Sequence, residues 1–467
     1  MNRRTFLGSA AALPCLSDPF SASAAEHADR DEFGGWTGLR FESSGFFRLE
    51  KNKGKWWFVT PKGNAFLALG MNHLHPGWLA QPYNKAFWNK EFGAKKAYDD
   101  TWRKGVFKKV MNEMKLLGFN HFGVHNDQRM TIPSGYPFIH RISFVDIPHP
   151  KVATKEKFLD VFDKSFEKHC DDLARKECLP LHKNRQLIGY AMTDCPIFTD
   201  EEAAERDTTK YGSPRLATPT WPRVLRNLGT EAPGKRAYVE TMRTVYSNWI
   251  LHFNETYGTS FRSFDDLLKA RDWRPKSDLS NALEMRDNRW FLERVVDRYY
   301  RVMTGAVRRQ DSKHLVFGDK LNANTNGGEQ VFKTTAKYTD LVFYQMYGRL
   351  QEQRPIVNRW SRATGKPCFN GDGAFGVPYD MMPNPHGPHC IDQQHRAEMV
   401  REFVHGMFSR NDFVGWSVCG WVDTWKTMPR KRFKQHSGFQ DPFGRLNQPY
   451  IDELARLSKD LYRIAAR

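Results

Sequence analysis

Eight times along this chain a short apolar run closes on polar residues, and most of these runs are followed by a stretch of helical periodicity. The runs cover 64–73, 119–125, 139–147, 187–196, 314–319, 341–347, 367–372 and 414–421. Apolar residues without alternation mark strands buried on both faces, as in a parallel sheet wrapped by helices. The helical stretches include 100–117, 154–177 and a closing segment at 448–465. A repeated strand–helix unit of this kind closes into a (β/α)8 barrel of the TIM type, and 467 residues are enough for one such barrel with insertions.

Two segments depart from the rhythm. Ahead of the first run, 46–50 and 56–59 flank the polar group Lys51-Asn52-Lys53-Gly54-Lys55, which predicts a small N-terminal β-hairpin. Residues 25–45 are expected to be a linker, leaving 46–467 as the barrel domain. After the fourth run, 197–290 exceeds a single helix. It is expected to form an insertion with a long loop at 200–235, then helical pattern at 238–257 and 264–271. A connection that follows a barrel strand lies on the active face, so this insertion is expected to shape a substrate cleft.

The N-terminus carries Asn2-Arg3-Arg4-Thr5-Phe6-Leu7, a short apolar run and then Ala22-Ser23-Ala24. That order has the form of a twin-arginine export signal covering 1–24, which implies a periplasmic or extracellular mature protein with no membrane attachment. Cys15 would leave with the signal. Of the six cysteines that remain, Cys170 and Cys178 share one helical stretch eight residues apart, too far for a bridge, and no CxxC pair exists. Net charge is +18, and loss of Arg3, Arg4 and Asp18 leaves +17. A chain so basic outside the cytoplasm points to an anionic partner. No helix-turn-helix, finger or RNA-binding signature accompanies the charge, so nucleic acid is not expected.

Polar residues at the C-terminal ends of barrel strands converge in one cup. Those ends supply Asn72 and His73, His125 with Asp127, Asp146, Asp194 with Cys195, Asp319, Tyr347, Asp372, and Trp421 with Asp423. Several carboxylates ringed by aromatics are the requirement of glycoside hydrolysis, in which one carboxyl protonates the leaving oxygen and another attacks or activates water.

Ile188-Gly189-Tyr190 running to Pro196 resembles the fourth strand of clan A glycoside hydrolases, where Asn-Glu-Pro carries the acid/base glutamate. Residues 56–73 and 365–376, the latter reading Gly-Lys-Pro-Cys-Phe-Asn-Gly-Asp-Gly-Ala-Phe-Gly, are similar to the agarase-type glycoside hydrolase family 50. Val414 to Asp423 and His436-Ser437-Gly438 resemble that family's eighth strand and the loop after it. The resemblance runs from about 46 to 460 and implies a galactan polysaccharide or oligosaccharide as partner, with no cofactor. Two departures stand out: Cys195 occupies the acid/base position with Asp194 before it, and Asp372 occupies the nucleophile position.

Three readings stay open. Asp194 and Asp372 are the catalytic pair of a hydrolase; or the barrel binds a glycan without cleaving it; or the scaffold runs other chemistry, such as a lyase using His125 or Tyr347 or a covalent role for Cys195. In the first reading Asn72, His73, His125, Asp319, Tyr347, Trp421 and Asp423 bind substrate. Arg430 and Arg432, in the basic loop after the eighth strand, join them. Arginine forks match sulfate, so these and the insertion's Lys210, Arg215, Arg223, Arg226, Lys235 and Arg236 favour a sulfated galactan over a neutral one. His386, His389 and Cys390 cluster after the seventh run, but their spacing fits no zinc pattern, and no metal is expected.

Overall fold

The computed structural model describes residues 29–144, 160–211, 218–425 and 435–466. Its centre is a closed barrel of eight parallel strands: Ala68–Met71, His121–Phe122, Phe138–Arg141, Leu187–Asp194, Leu315–Asn322, Val342–Gln345, Cys368–Gly373 and Phe413–Val418. The eighth strand closes on the first through Gly415 to Val418 against Ala68 to Met71. The expected (β/α)8 architecture is therefore the observed one.

Helices surround the barrel; the one expected over 154–177 begins only at Lys164, since 160–163 form a turn and 154–159 lie outside the described residues. Asp100–Leu117 begins at Asp99, whose carboxylate accepts the Trp102 N–H, and ends at Gly118 in the left-handed region. Lys164–Cys178 starts on the analogous Asp163 cap, and Tyr450–Ala465 closes the chain. The second strand is followed by the short helix Gln128–Thr131 and a 3-10 turn at Ile132–Ser134.

A four-stranded antiparallel sheet packs under the N-terminal mouth of the barrel. It consists of Trp36–Arg40, Arg48–Asn52, Lys55–Val59 and Asn64–Phe66, with the first strand pairing the fourth. The expected hairpin is its centre. Trp36–Arg40 falls within the segment expected as a linker; the backbone pairs with Asn64–Phe66 and Trp36 stacks on Tyr462 of the closing helix at 5.8 Å. The run 64–73 is likewise two strands, broken at Leu67 as the chain passes from this sheet into the barrel. Phe58 of the sheet meets Phe317 and Phe369 of the barrel, and these pack on Phe343, so the bottom of the barrel is an aromatic plug. The other mouth is left for the site.

The insertion is mostly helical: Asp200–Tyr211, Trp221–Arg226, Pro233–Val245, Ile250–Tyr257 and Phe264–Lys269, followed by the 29-residue helix Ala282–Gln310. The expected loop at 200–235 thus contains two whole helices. Asp200–Tyr211 is so rich in charge that apolar periodicity barely registers, yet Asp200, Glu201 and Glu202 in its first turn complement the helix dipole. Three of the cations expected to face substrate turn inward instead. Arg226 is wholly buried on Glu284 at 2.9 Å, Arg223 donates to the Thr218 carbonyl, and the Lys235 ammonium donates to the carbonyls of Arg226 and Ala270. Burial brings Lys235 down to about 7. These groups hold the insertion together.

Candidate active site

Asp194 ends the fourth barrel strand and Asp372 lies near the end of the seventh, and the structure brings them to one point through a residue of the fifth. The Lys320 ammonium donates to Asp372 Oδ2 at 2.9 Å and sits 3.0 Å from Asp194 Oδ1. Two oxygens so close to one nitrogen are at most about 5.9 Å apart, the sum of those contacts. The Lys320 side chain is 2% exposed and that of Asp372 3%, whereas Asp194 is 32% exposed. Asp194 therefore faces the open end of the cup and Asp372 its floor. Gly371 allows this placement, because a Cβ there would lie 2.3 Å from the Phe343 ring.

Imidazoles surround the trio. His73 Nε2 is 3.0 Å from Asp372 Oδ2, and His125 Nε2 is 3.4 Å from Asp194 Oδ1 and 2.6 Å from the Lys320 ammonium. The His73 ring stacks on His125 and also contacts His436. Asn72 is buried beneath them, donating to the Gly371 carbonyl and accepting the His125 N–H, which ties strands one, two and seven together. Tyr347 stacks on His386 at 5.0 Å, and its backbone is held on both sides by Asn324.

Electrostatics set the charge of each group. Burial alone would raise Asp194 and Asp372, but the Lys320 ammonium, followed by the imidazoles, holds both well below the usual carboxylate range. Burial would lower Lys320, yet Asp194 and then Asp372 keep it above the ordinary lysine value. Burial brings His73 down to about 4 against the pull of Asp372, and it lowers His125 and His436 as well. At neutral pH the resting site is two carboxylates, one ammonium and neutral imidazoles.

Cys195, in the position that the resemblance gives to the acid/base, has φ +46° and donates its N–H to the Lys320 carbonyl. Burial, then the Asp194 charge, pushes its thiol well up, which keeps it protonated in the resting site.

Three of the expected substrate contacts lie outside this cluster. Asp319 accepts hydrogen bonds from the Thr193 N–H at 2.8 Å and the Tyr300 hydroxyl at 2.7 Å, so it faces the helix Ala282–Gln310 rather than the cup. The cause is Gly318. Phe317 points into the barrel, and strict alternation would put Asp319 inside with it and Lys320 outside. Gly318 instead adopts φ +78°, and the pairing with strand four slips at this point, from Tyr190 opposite Val316 to Ala191 opposite Gly318, which leaves one extra residue on strand five. The resulting bulge exchanges the two side chains. Trp421 is buried and donates its indole N–H to Glu113 of the helix Asp100–Leu117 at 2.6 Å, so it packs outward. Asp423 is buried too, accepting from the Gly438 N–H at 2.6 Å and the Tyr379 hydroxyl at 3.0 Å; it clamps the loop after strand eight.

Asp127 caps its own short helix and pairs with Arg129. Arg430, Arg432 and Asp146 lie outside the described residues. Lys320, Cys419, His386 and His436 enter the cup without having been singled out for it; only the quoted similarity around His436 pointed there. A cavity of about 520 Å³ opens beside the cup between the first two strand–helix connections, lined in part by His75, Tyr98, Arg103 and Asp127.

No family model matches the chain. Two curated relatives from Vibrio sp. (strain JT0107) are similar to it. Beta-agarase B is 22% identical over 472 residues, covering 86% of this chain and 47% of its own length. Beta-agarase A is 22% identical over 496 residues, covering 91% and 47%. The chain thus spans about half the length of these relatives. Among solved structures, an exo-beta-agarase superposes with a TM-score of 0.75 at 18% identity, over 94% of this chain and 68% of that one. A second agarase gives a TM-score of 0.74, also at 18% identity and with the same two coverages. These likenesses show the barrel with its flanking sheet to be an architecture that agarases also use.

Proposed function

We propose that this chain is a glycoside hydrolase acting on a galactan-type polysaccharide or oligosaccharide, with Asp372 and Asp194 as its catalytic carboxylates. The observation that carries the reading is the convergence of the two aspartates, from the ends of strands seven and four, to within about 5.9 Å. Retaining glycosidases hold their carboxyls roughly 5–5.5 Å apart and inverting enzymes roughly 6.5–9.5 Å, so the pair belongs nearer the retaining arrangement. Lys320, in contact with both, holds the carboxylates at this separation.

The same lysine defines how the site would work. While its ammonium lies between the carboxylates both are ionised and no acid is ready. When a sugar displaces it, two carboxylates this close cannot both stay charged, and one takes a proton. Asp194, the exposed member, then protonates the leaving oxygen while Asp372 attacks the anomeric carbon from the floor. The similarity to beta-agarases supports a β-linked galactan, and the net charge of +18 favours an anionic, sulfated one. Arg430 and Arg432 remain candidates for sulfate recognition, whereas Arg223, Arg226 and Lys235 are committed to the interior. The export signal at 1–24 lies outside the described residues. Among those described, no helix is long and apolar enough to cross a membrane.

A second reading has its own observation. Lys320 occupies the space between the two carboxylates, and a thiol stands where the resemblance puts the acid/base, as expected of a barrel that binds glycan without cleaving it. Release of reducing ends from agarose, porphyran, carrageenans and plant galactans separates the two. Product from one polysaccharide that is lost in both Asp372→Asn and Asp194→Asn establishes the hydrolase. Retardation in an affinity gel with no product from the wild type establishes the binding protein.

A further inference from the structure

The cup holds more imidazoles than glycoside cleavage uses. The His73 and His436 ring centres are 4.2 Å apart, and His386 lies 5.2 Å from His436. Cys419, just beyond strand eight, places its Sγ 3.2 Å from His436 Nδ1. One donor atom each from His73, Cys419 and His436 falls within 4.8 Å of the other two. The three come from separate places: the end of strand one, the end of strand eight and the loop that follows it. His389 and Cys390, which cluster with His386 in sequence, are turned to the carbonyls of Pro385 and Pro388 and take no part.

We propose that His73, Cys419 and His436 form a binding site for a divalent transition metal, with zinc the ion that fits. Two imidazoles and a thiolate are ligands zinc takes, and with bonds of about 2.0–2.3 Å its tetrahedral donors stand roughly 3.3–3.8 Å apart. Cys419 and His436 at 3.2 Å are just inside that spacing and the three donors all lie within 4.8 Å, so side-chain adjustments of up to about 1 Å complete the set. His73 and His436 are partly exposed, which gives the ion an entry path, while Cys419 is buried.

Two further features suit a cation. Asp372 Oδ1 is buried with no hydrogen bond of good geometry among the described residues, and its carboxylate neighbours Cys419 and Tyr347, so negative charge stands beside the set. Asp194, Asp372 and Lys320 together carry one net negative charge. On binding, the Cys419 S–H bond breaks, its proton leaves to solvent and the sulfur lone pair bonds the metal. The thiolate and the dication then bring the cluster to neutrality.

The test uses the full chain, stripped with a chelator and titrated with zinc against a chromophoric competitor, and in parallel with cobalt. One zinc per chain is expected, together with a thiolate-to-cobalt charge-transfer absorption. Cys419→Ser should abolish that absorption, and both Cys419→Ser and His436→Ala should weaken zinc binding at least about tenfold; Cys390→Ser should retain both properties. Circular dichroism confirms that each variant is folded. Absence of stoichiometric zinc, a wild-type cobalt complex without the thiolate band, or affinity unchanged in the Cys419 and His436 variants overturns the proposal, leaving a thiol–imidazole hydrogen bond. None of these readouts depends on glycan cleavage, so the result is independent of the hydrolase assay.

Discussion

Replacing Lys320 with methionine removes the ammonium that touches both Asp194 and Asp372 while filling nearly the same volume. At 2.9 Å, and with an effective dielectric of about 20, the Asp372 contact is worth roughly 5–6 kcal/mol of attraction. The Asp194 contact is discounted, because that side chain is 32% exposed and solvent screens it. Methionine avoids the desolvation of the ammonium but leaves Asp372 buried without its counter-charge, so the net loss of stability should be about 3–5 kcal/mol at neutral pH. The pH dependence follows from the directions of the shifts. In the wild type both carboxyls are depressed, so their contribution is present above the ordinary carboxylate range and is lost as pH falls toward their folded values. In Lys320→Met the two close carboxylates raise one another, and the deficit should shrink as the solution is acidified toward pH ~5 and one takes a proton. Urea denaturation at both pH values measures it. A double-mutant cycle with Asp372→Asn should give a coupling of at least about 2 kcal/mol. Costs that simply add, within about 0.5 kcal/mol, would refute the bridging role of Lys320.

Three other outcomes are expected. Gly318→Ala forces a side chain onto a φ of +78° and places its Cβ 2.5 Å from Thr339 Cγ2; it should destabilise by about 1–3 kcal/mol and reduce glycan retardation, since the bulge that aims Lys320 is disturbed. Asp319→Asn should leave retardation of any bound galactan unchanged in an affinity gel, because this carboxyl faces Tyr300 and Thr193; a loss of binding in a folded variant would return it to the cup. Burial raises Asp423 to about 6, so its contribution is full below the ordinary carboxylate value and is lost as pH rises through about 6. Between pH 4 and 7 the wild type should therefore lose about 2–3 kcal/mol relative to Asp423→Asn, which keeps an acceptor for the Gly438 N–H. Asp423→Ala leaves that donor unpaired and should be less stable than the asparagine variant at every pH, as denaturation midpoints would show.

Much of the barrel was legible because its cause is local. Strands buried on both faces need unbroken apolar runs, and helices that cover them need apolar residues every third or fourth position, so 187–194, 342–345 and 100–117 announce themselves. The helices at Asp200–Tyr211 and Trp221–Arg226 did not, because their stability comes from ion pairs and hydrogen bonds to partners brought from elsewhere in the chain. Trp36–Arg40 was hidden for a related reason: an edge strand is defined by the partner it pairs with.

At the site, residue type and strand position by themselves determined that Asp194, Asp372, His73 and His125 would stand at one mouth of a closed barrel. Chain order and the two-residue repeat of a strand are sufficient for that. Tertiary structure alone decided that Lys320 rather than Asp319 enters the cup, that Trp421 and Asp423 turn outward, and that Cys419 and His436 meet His73. Those outcomes depend on a one-residue bulge at Gly318, on Glu113 and Tyr379 claiming side chains from outside, and on His436 lying against Cys419 and Thr424 at the end of strand eight. A strand's alternation is a property of its sequence, whereas the place where the alternation breaks is set by what the neighbouring strands can pair with and what the surrounding helices can bury.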